Sequence, residues 1–350
     1  MAEILGLTVS HFPYMRMKGY TMPSVLRSLV GGPWADNPKM SDPKNWPEEM
    51  QREWSNDLGE KAGIASQKRQ IEQFRKVRAA IDDFKPDVWV MLYRGINEPK
   101  APERPKYWIF LQDEIPIQFY MRAGNQRQNY FEEDPEKIET LKMHVDAGEH
   151  LIKHLEAAGQ KPYVARGTAD KPAIPGENCV SGLIALDWDH RDFKTPIIPI
   201  GIDPFGFNRE RRPVGLAPWD RNAPPPLTPA EAFTLGREIA KAFRPSPWRV
   251  ALVAATNWSN AQNTFWDSGR VHPAIDEDKR RFEQWRNNEF DKWGENWTFD
   301  QMEDNAQWEA TTSIVLAGAM TEIGSKVKYA DLQTTYVMNS DWVTTIFEPK

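Results

Sequence analysis

Two residues in this chain stand where side chains often do chemistry: a histidine at a strand end and a carboxylate inside an apolar helix. His11 follows the apolar run EILGLTVS in the sequence S-H-F-P, and Pro13 stiffens the turn behind it. An imidazole there can ligate a metal, act as acid or base, or hydrogen-bond the backbone. Glu309 lies in DNAQWEATTSIVLAGAMTEIG (304–324), a helix whose neighbouring positions are apolar or small. A carboxylate entering such a helix needs a partner. It can cap the helix start, pair with an arginine or bind a metal. A third stretch, WRVALVAATNWSNAQN (248–263), reads as a buried strand ended by polar residues. Asn260 therefore falls past the C-terminal end of a strand, where open α/β sheets tend to place ligands. The remaining histidines carry less. His150 and His154 are spaced i, i+4, but Leu-Ile-Lys stands between them instead of the H-E-x-x-H arrangement, and they read as a solvated face. His144 reads as a helix-face residue, and His272 precedes Pro273 with no companion ligand nearby.

The elements that must position these residues alternate along the chain. EILGLTVS (3–10) is a short strand, GIASQKRQIEQFRKVRAAIDDF (63–84) an amphipathic helix with Ile71, Phe74, Val77 and Ile81 on one stripe, and KPDVWVMLY (85–93) the next strand. That order implies a parallel pair with a right-handed crossover. Further on, 137–159 reads as a second long helix, KPYVAR as a strand, 181–189 as an apolar segment, TPIIPIGI (195–202) as a buried strand and 229–243 as a helix. Two late helices follow, and 328–349 has strand character. RGINEPKAPERPK (94–106) is a Pro- and charge-rich loop, and 211–229 is a proline-rich surface excursion. No internal repeat and no long linker divides the chain. The expectation is one α/β domain over 1–350, with a mixed central sheet flanked by helices.

Composition narrows the function classes. The 350 residues are 40% hydrophobic and 27% charged, enough to bury a core. A net charge of -6 argues against nucleic acid as the main partner. The single Cys179 excludes an internal disulfide and a thiolate metal cluster. No apolar run approaches the ~18 residues of a membrane span, and the N-terminus lacks a basic region followed by a long apolar core. A soluble cytoplasmic protein is expected. The 15 Trp, several in polar contexts such as NWPEEMQREW, suit pocket walls, a subunit interface or core filling.

Several segments carry a family resemblance. SHFP, NWPEEMQREWSNDLG, QFRKVRAAIDDFKPDVWVML, ALDWDHRDFKTPIIPIGID, VALVAATNWSNA and LAGAMTEIGSKVKYADLQTTYVMNSDWVTTIF resemble, in order and over nearly the whole chain, the class III extradiol ring-cleaving dioxygenases. The likeness is to the longer bacterial members related to protocatechuate 4,5-dioxygenase catalytic subunits. It implies a site with non-haem Fe(II) held by two histidines and one carboxylate, with a further histidine as acid/base. His11 matches the first iron ligand, and Glu309 the carboxylate. The second iron histidine would fall near Ile96, inside the loop RGINEPKAPERPK. Where relatives read roughly W-S-H-A, this chain reads W-S-N-A, so Asn260 replaces the acid/base histidine. An amide cannot shuttle a proton near neutral pH. Relatives also carry histidine about where Ser66 and Glu177 stand. The resemblance places His11, Tyr14, Trp258, Asn260 and Glu177 around the substrate pocket. It leaves His11 and Glu309 as two of three metal ligands, with Glu98 or Glu177 as candidates for the third.

Three readings follow. The chain is a catalytically degenerate subunit that pairs with a catalytic homologue or with itself, as in two-subunit aminophenol-type dioxygenases. Or it is an active Fe(II) ring-cleaving enzyme of a catechol-like substrate with altered ligands. Or it is a metal-free member that binds or hydrolyses an aromatic or carbonyl compound. Fold is carried by resemblance more securely than function.

Overall fold

The computed structural model describes residues 2–95, 105–118, 129–134, 136–190, 192–206, 220, 222, 225–264, 269–294 and 296–350. Ile96, Glu98 and most of the 211–229 excursion lie outside the described residues. In chain order the first half runs β1 (Ile4–Val9), α1 (Ser24–Val30), α2 (Pro38–Ser41), α3 (Glu48–Trp54), α4 (Glu60–Phe84), β2 (Val88–Arg94), β3 (Tyr107–Leu111), β4 (Glu114–Gln118), β5 (Ile138–Lys142) and α5 (Val145–Ala157). It continues with β6 (Tyr163–Arg166), α6 (Glu177–Leu186), β7 (Ile197–Ile202), α7 (Pro229–Phe243), β8 (Val250–Ala255), α8 (Ile275–Arg286), α9 (Asp291–Gly294), α10 (Phe299–Asp304), α11 (Thr311–Ile323), β9 (Val327–Gln333) and β10 (Trp342–Phe347).

Eight of these strands form one sheet in the order β6-β3-β7-β2-β8-β1-β10-β9. The four central strands β7, β2, β8 and β1 are parallel, whereas β3 and β10 join antiparallel on either side. The fold is thus α/β with a mixed central sheet flanked by helices, as expected. β1 and β2 are parallel, but β8 is inserted between them, so the first strand–helix–strand unit does not make a neighbouring pair. Only the return of the chain after α7 decides that insertion.

Alternation along each strand separates two cores. Trp89, Met91 and Tyr93 of β2 and Ala251, Val253 and Ala255 of β8 face α4 and α6. Val88, Val90 and Leu92, with Val250, Leu252 and Ala254, face α5, α7 and α11. The helix α11 is buried from Thr311 to Met320 and lies directly against α7. Two glycines permit this approach: a Cβ on Gly236 would stand 1.7 Å from the Val315 carbonyl oxygen, and one on Gly318 would stand 2.0 Å from that of Phe233.

Two expectations change. The segment 137–159 is not one helix. Ile138–Lys142 pairs with β4, and α5 begins only after His144, whose ring accepts the Ala147 N–H at 3.3 Å as an N-cap. The apolar segment 181–189 belongs to the helix α6 and ends at Leu186; a short apolar run is ambiguous between helix and strand. The tryptophans went largely to the interior. Trp34, Trp89, Trp258, Trp285, Trp293, Trp308 and Trp342 are fully buried, and Trp46 and Trp54 of NWPEEMQREW pack edge to face on each other.

Candidate functional site

The register of the central strands sets the site. Val9 and Tyr93 both pair with Ala255, so β1, β8 and β2 end level with one another. The residues that follow them, His11, Asn257 to Asn263 and Arg94, therefore share one edge, the C-terminal edge of the parallel strands. Chain reversal helps to open it: β1 to β2 crosses on the α4 face, and β7 to β8 crosses on the α7 face. The start of α11 brings in Glu309 on a short 3-10 turn, Trp308–Ala310. A cavity of about 400 Å³ opens there, lined by His11, Phe12, Tyr14, Arg94, Glu177, Asn260 and Glu309 among others. Grooves of about 930 and 910 Å³ lie elsewhere, along the β4–β5 hairpin and beside Tyr107 and α7. Neither gathers buried polar groups from the central strand ends, so the smaller cavity is the candidate site.

Glu309 is the hub, and its side chain is fully buried. Its Oε1 accepts from Asn260 Nδ2 at 3.1 Å and from Asn263 Nδ2 at 2.7 Å, and it pairs with the Arg94 guanidinium. Arg94 also donates to Asn263 Oδ1 at 3.4 Å. Its Oε2 faces His11 Nε2 at 3.0 Å. The other ring nitrogen of His11 lies 2.9 Å from the carbonyl oxygen of Ala255, which can only accept, so Nδ1 carries the hydrogen. Burial, and next the Arg94 cation, push the His11 imidazole down to about 3, against the backbone bond that raises it. At neutral pH the ring is therefore uncharged, and its Nε2 lone pair looks at a carboxylate oxygen. At 3.0 Å the two atoms stand at hydrogen-bond distance and leave no room for a further group between them.

The opposite wall is built from α6 and the turn after β1. Glu177, in the first turn of α6, pairs with Arg16, which is itself buried. Burial, and after it Glu177, hold the Tyr14 phenol above its usual range, so it stays a donor. Asn178 Nδ2 donates to the Arg94 carbonyl at 3.1 Å, which ties the two walls together.

The structure thus brings His11, Tyr14, Glu177, Asn260 and Glu309 around one cavity. Trp258 does not line it. Its indole lies in the core beside Trp285 and Trp293 and donates to Ser313 Oγ at 3.3 Å, because the residue after Asn257 turns to the other face of the sheet. Ser66 lies on α4, where its carbonyl accepts from Gln333, and is not part of the cavity. His150 and His154 are engaged by α7, through the Ala242 carbonyl at 2.7 Å and Glu238 at 3.2 Å. Sequence reading missed Arg94 and Asn263. The signal for Arg94 was an arginine closing a fully apolar strand; Asn263 had none, since its partner is 46 positions away.

The donor set was tested against an Fe(II) centre. His11 Nε2 and Glu309 Oε2 would supply two ligands. Among the described residues no group of three or more His, Cys, Asp or Glu side chains is placed to hold a metal ion. Glu309 Oε1 is already engaged by a guanidinium and two amides. The described residues do not fit a resident two-histidine, one-carboxylate iron.

No family model matches the chain, and no curated protein matches it. Among solved structures, one assigned as a methylthioadenosine nucleosidase from Weissella paramesenteroides is similar over part of the chain. The identity is 14% and the TM-score 0.22, with 37% of this chain and 60% of that chain covered. The chain spans less than two thirds of that protein's length, and a likeness this weak carries no argument about site or activity. No helix among the described residues is long and apolar enough to cross a membrane.

Proposed function

We propose that this chain is a class III extradiol dioxygenase-like protein that binds a small catechol-like ligand without a resident iron, as a non-catalytic subunit beside a catalytic homologue or a second copy. One observation carries the reading. The carboxylate that would ligate iron instead pairs with Arg94 and accepts from Asn260 and Asn263, so the charge the metal would neutralise is met by the protein itself. What remains is a binding site. His11 and Glu309 bring polar atoms to the cavity wall that suit the hydroxyls of a diol, and Phe12 and Tyr14 offer a ring wall. Asn260 gives no proton relay, so the cavity holds such a ligand without activating it.

The test is metal content of the purified chain, then anaerobic Fe(II) loading and O2 consumption with catechol, protocatechuate and gallate. Substoichiometric iron, no O2 uptake and measurable catechol binding are expected. Near-stoichiometric iron with brisk uptake would overturn the reading. Light scattering alone and with a homologous catalytic chain then decides the partner.

A second reading, an active Fe(II) ring-cleaving enzyme with altered ligands, has one observation in its favour. Nδ1 of His11 is held by a backbone carbonyl and Nε2 is left as a lone pair, the tautomer that metal-bound histidines adopt. The same iron measurement separates the two.

A further inference from the structure

We infer that Asn257 sets which ring the cavity takes: its carboxamide N–H donates to a carbonyl oxygen carried by the ligand's ring, so a ring with a carbonyl substituent is preferred over its alkyl analogue. The inference deepens the binding reading above and rests on it. Among the described residues four asparagines stand on the cavity wall, Asn178, Asn257, Asn260 and Asn263. Three have spent their side-chain N–H groups. Nδ2 of Asn178 donates to the Arg94 carbonyl, and Nδ2 of Asn260 and of Asn263 donate to Glu309. Asn257 is 1% exposed, and its Oδ1 accepts from the Ser10 hydroxyl at 2.9 Å. Its Nδ2 makes no hydrogen bond among the described residues.

Which end of an amide faces which neighbour is settled by its hydrogen-bond network. Here that network starts from the backbone. The Phe12 N–H donates to Ser10 Oγ at 3.1 Å and holds the hydroxyl in place. Ser10 is fully buried, and among the described residues its own hydrogen has Asn257 Oδ1 as acceptor. A buried hydroxyl keeps its hydrogen bonded, so Asn257 turns its oxygen to Ser10 and leaves Nδ2 as the end free for the cavity. The main chain is held there too, since the Asn257 carbonyl accepts from the Thr256 hydroxyl at 2.9 Å. Nδ2 is thus a donor fixed in direction before a ligand arrives. Gln262, also on the wall, is only half-buried and makes no side-chain hydrogen bond among the described residues, so it can offer either end and selects less.

A buried donor left unmet costs free energy, and a site built around one disfavours the analogue that lacks the acceptor. A cavity of about 400 Å³ admits a single substituted ring. A carbonyl on that ring satisfies Asn257. An alkyl group in the same place strips solvent from Nδ2 and offers nothing in return.

The matched probes are 3,4-dihydroxyacetophenone and 4-ethylcatechol, which carry an acetyl or an ethyl group on the same diol ring. They are compared by anaerobic calorimetry on the full chain at pH 6, where both diols are uncharged. Wild type is expected to bind the ketone about tenfold more tightly. Asn257→Leu keeps the side-chain volume and removes the donor, and the ratio should fall to about one. Ser10→Ala carries the test if Asn257→Leu fails to fold: with the amide free to turn, the ratio should drop to about threefold or less. A wild-type ratio of about one or below overturns the donor assignment and leaves the binding reading standing. A wild-type preference that persists undiminished in the variant assigns the discrimination to another group and overturns it as well. If neither compound binds at millimolar concentration, both fall.

Discussion

Replacing Arg94 by methionine strands a buried carboxylate. Glu309 has a fully buried side chain and Arg94 one that is 11% exposed, so water screens their attraction only weakly. Removing one partner of a buried ion pair costs about 3–5 kcal/mol, because the other charge stays behind. Here Asn260, Asn263 and His11 remain around Glu309, which sets the expectation at the lower end. Unfolding entropy of about 2.1 cal/mol/K per residue over 350 residues gives ~0.7 kcal/mol/K. A loss of about 3–5 kcal/mol therefore lowers Tm by roughly 4–7 °C. Glu309→Gln in the same background should recover much of it, with a coupling energy of about 2 kcal/mol in the double-mutant cycle. The pH dependence adds an independent check. Without the Arg94 cation, the His11 imidazole is easier to protonate, and an imidazolium would pair with Glu309. Its folded-state pKa then rises, so the variant regains stability as pH falls and loses it as pH rises through that value. The assay is thermal unfolding followed by tryptophan fluorescence at pH 5 and pH 8 for the four proteins of the cycle. A Tm for Arg94→Met within 1 °C of wild type at pH 8, or strictly additive losses, would refute the pairing that defines the site.

Three further outcomes are expected. Gly318→Ala drives a Cβ into the Phe233 carbonyl at 2.0 Å, where backbone cannot yield easily. Overpacking of about 1–3 kcal/mol should lower Tm by a few degrees, and an unchanged Tm would mean that α7 and α11 are free to separate. Asp278 and Asp341 are both fully buried behind the Asn257–Asn260 turn, and burial raises both above the usual carboxylate value. The folded state thus holds a proton that the unfolded chain releases above pH ~4. Stability contributed by the pair is complete below that pH and is lost as pH rises through the folded values. Asp341→Asn should flatten this slope in urea midpoints between pH 4 and 8, and an identical slope would count against the raised Asp341 carboxyl. Finally, Asn260→His should not create ring cleavage. An acid/base histidine contributes about 10²–10⁴-fold only once metal and substrate are positioned, and Arg94 still pairs with Glu309. O2 uptake switched on by this change alone would show an intact metal site.

The sequence by itself determined the elements with strong period and clear punctuation. The helix 229–243 was read with its observed bounds because Pro229 begins it, and a Thr228–Glu231 capping box closes the start. The strands ending at Val9 and Ala255 were legible as apolar runs, and with them His11 and Asn260 as strand-end residues, while β2 was read only to Tyr93, one residue short of its end at Arg94. The mismatch of Glu309 with the apolar run after it announced that it needed a partner, although Glu309 stands on the 3-10 turn before α11 and not inside a helix over 304–324. Which partner answered was decided only by the tertiary structure. Arg94 and Glu309 meet because β8 enters the sheet between β1 and β2 and α11 packs through Gly318 onto α7. No local pattern encodes that contact, because it depends on strand order and on one helix approaching another. Trp258 shows the same limit from the other side. Its position beside Asn257 suggested the pocket, yet successive residues leave a strand on opposite faces, and only the packed sheet shows which face is core and which is cavity.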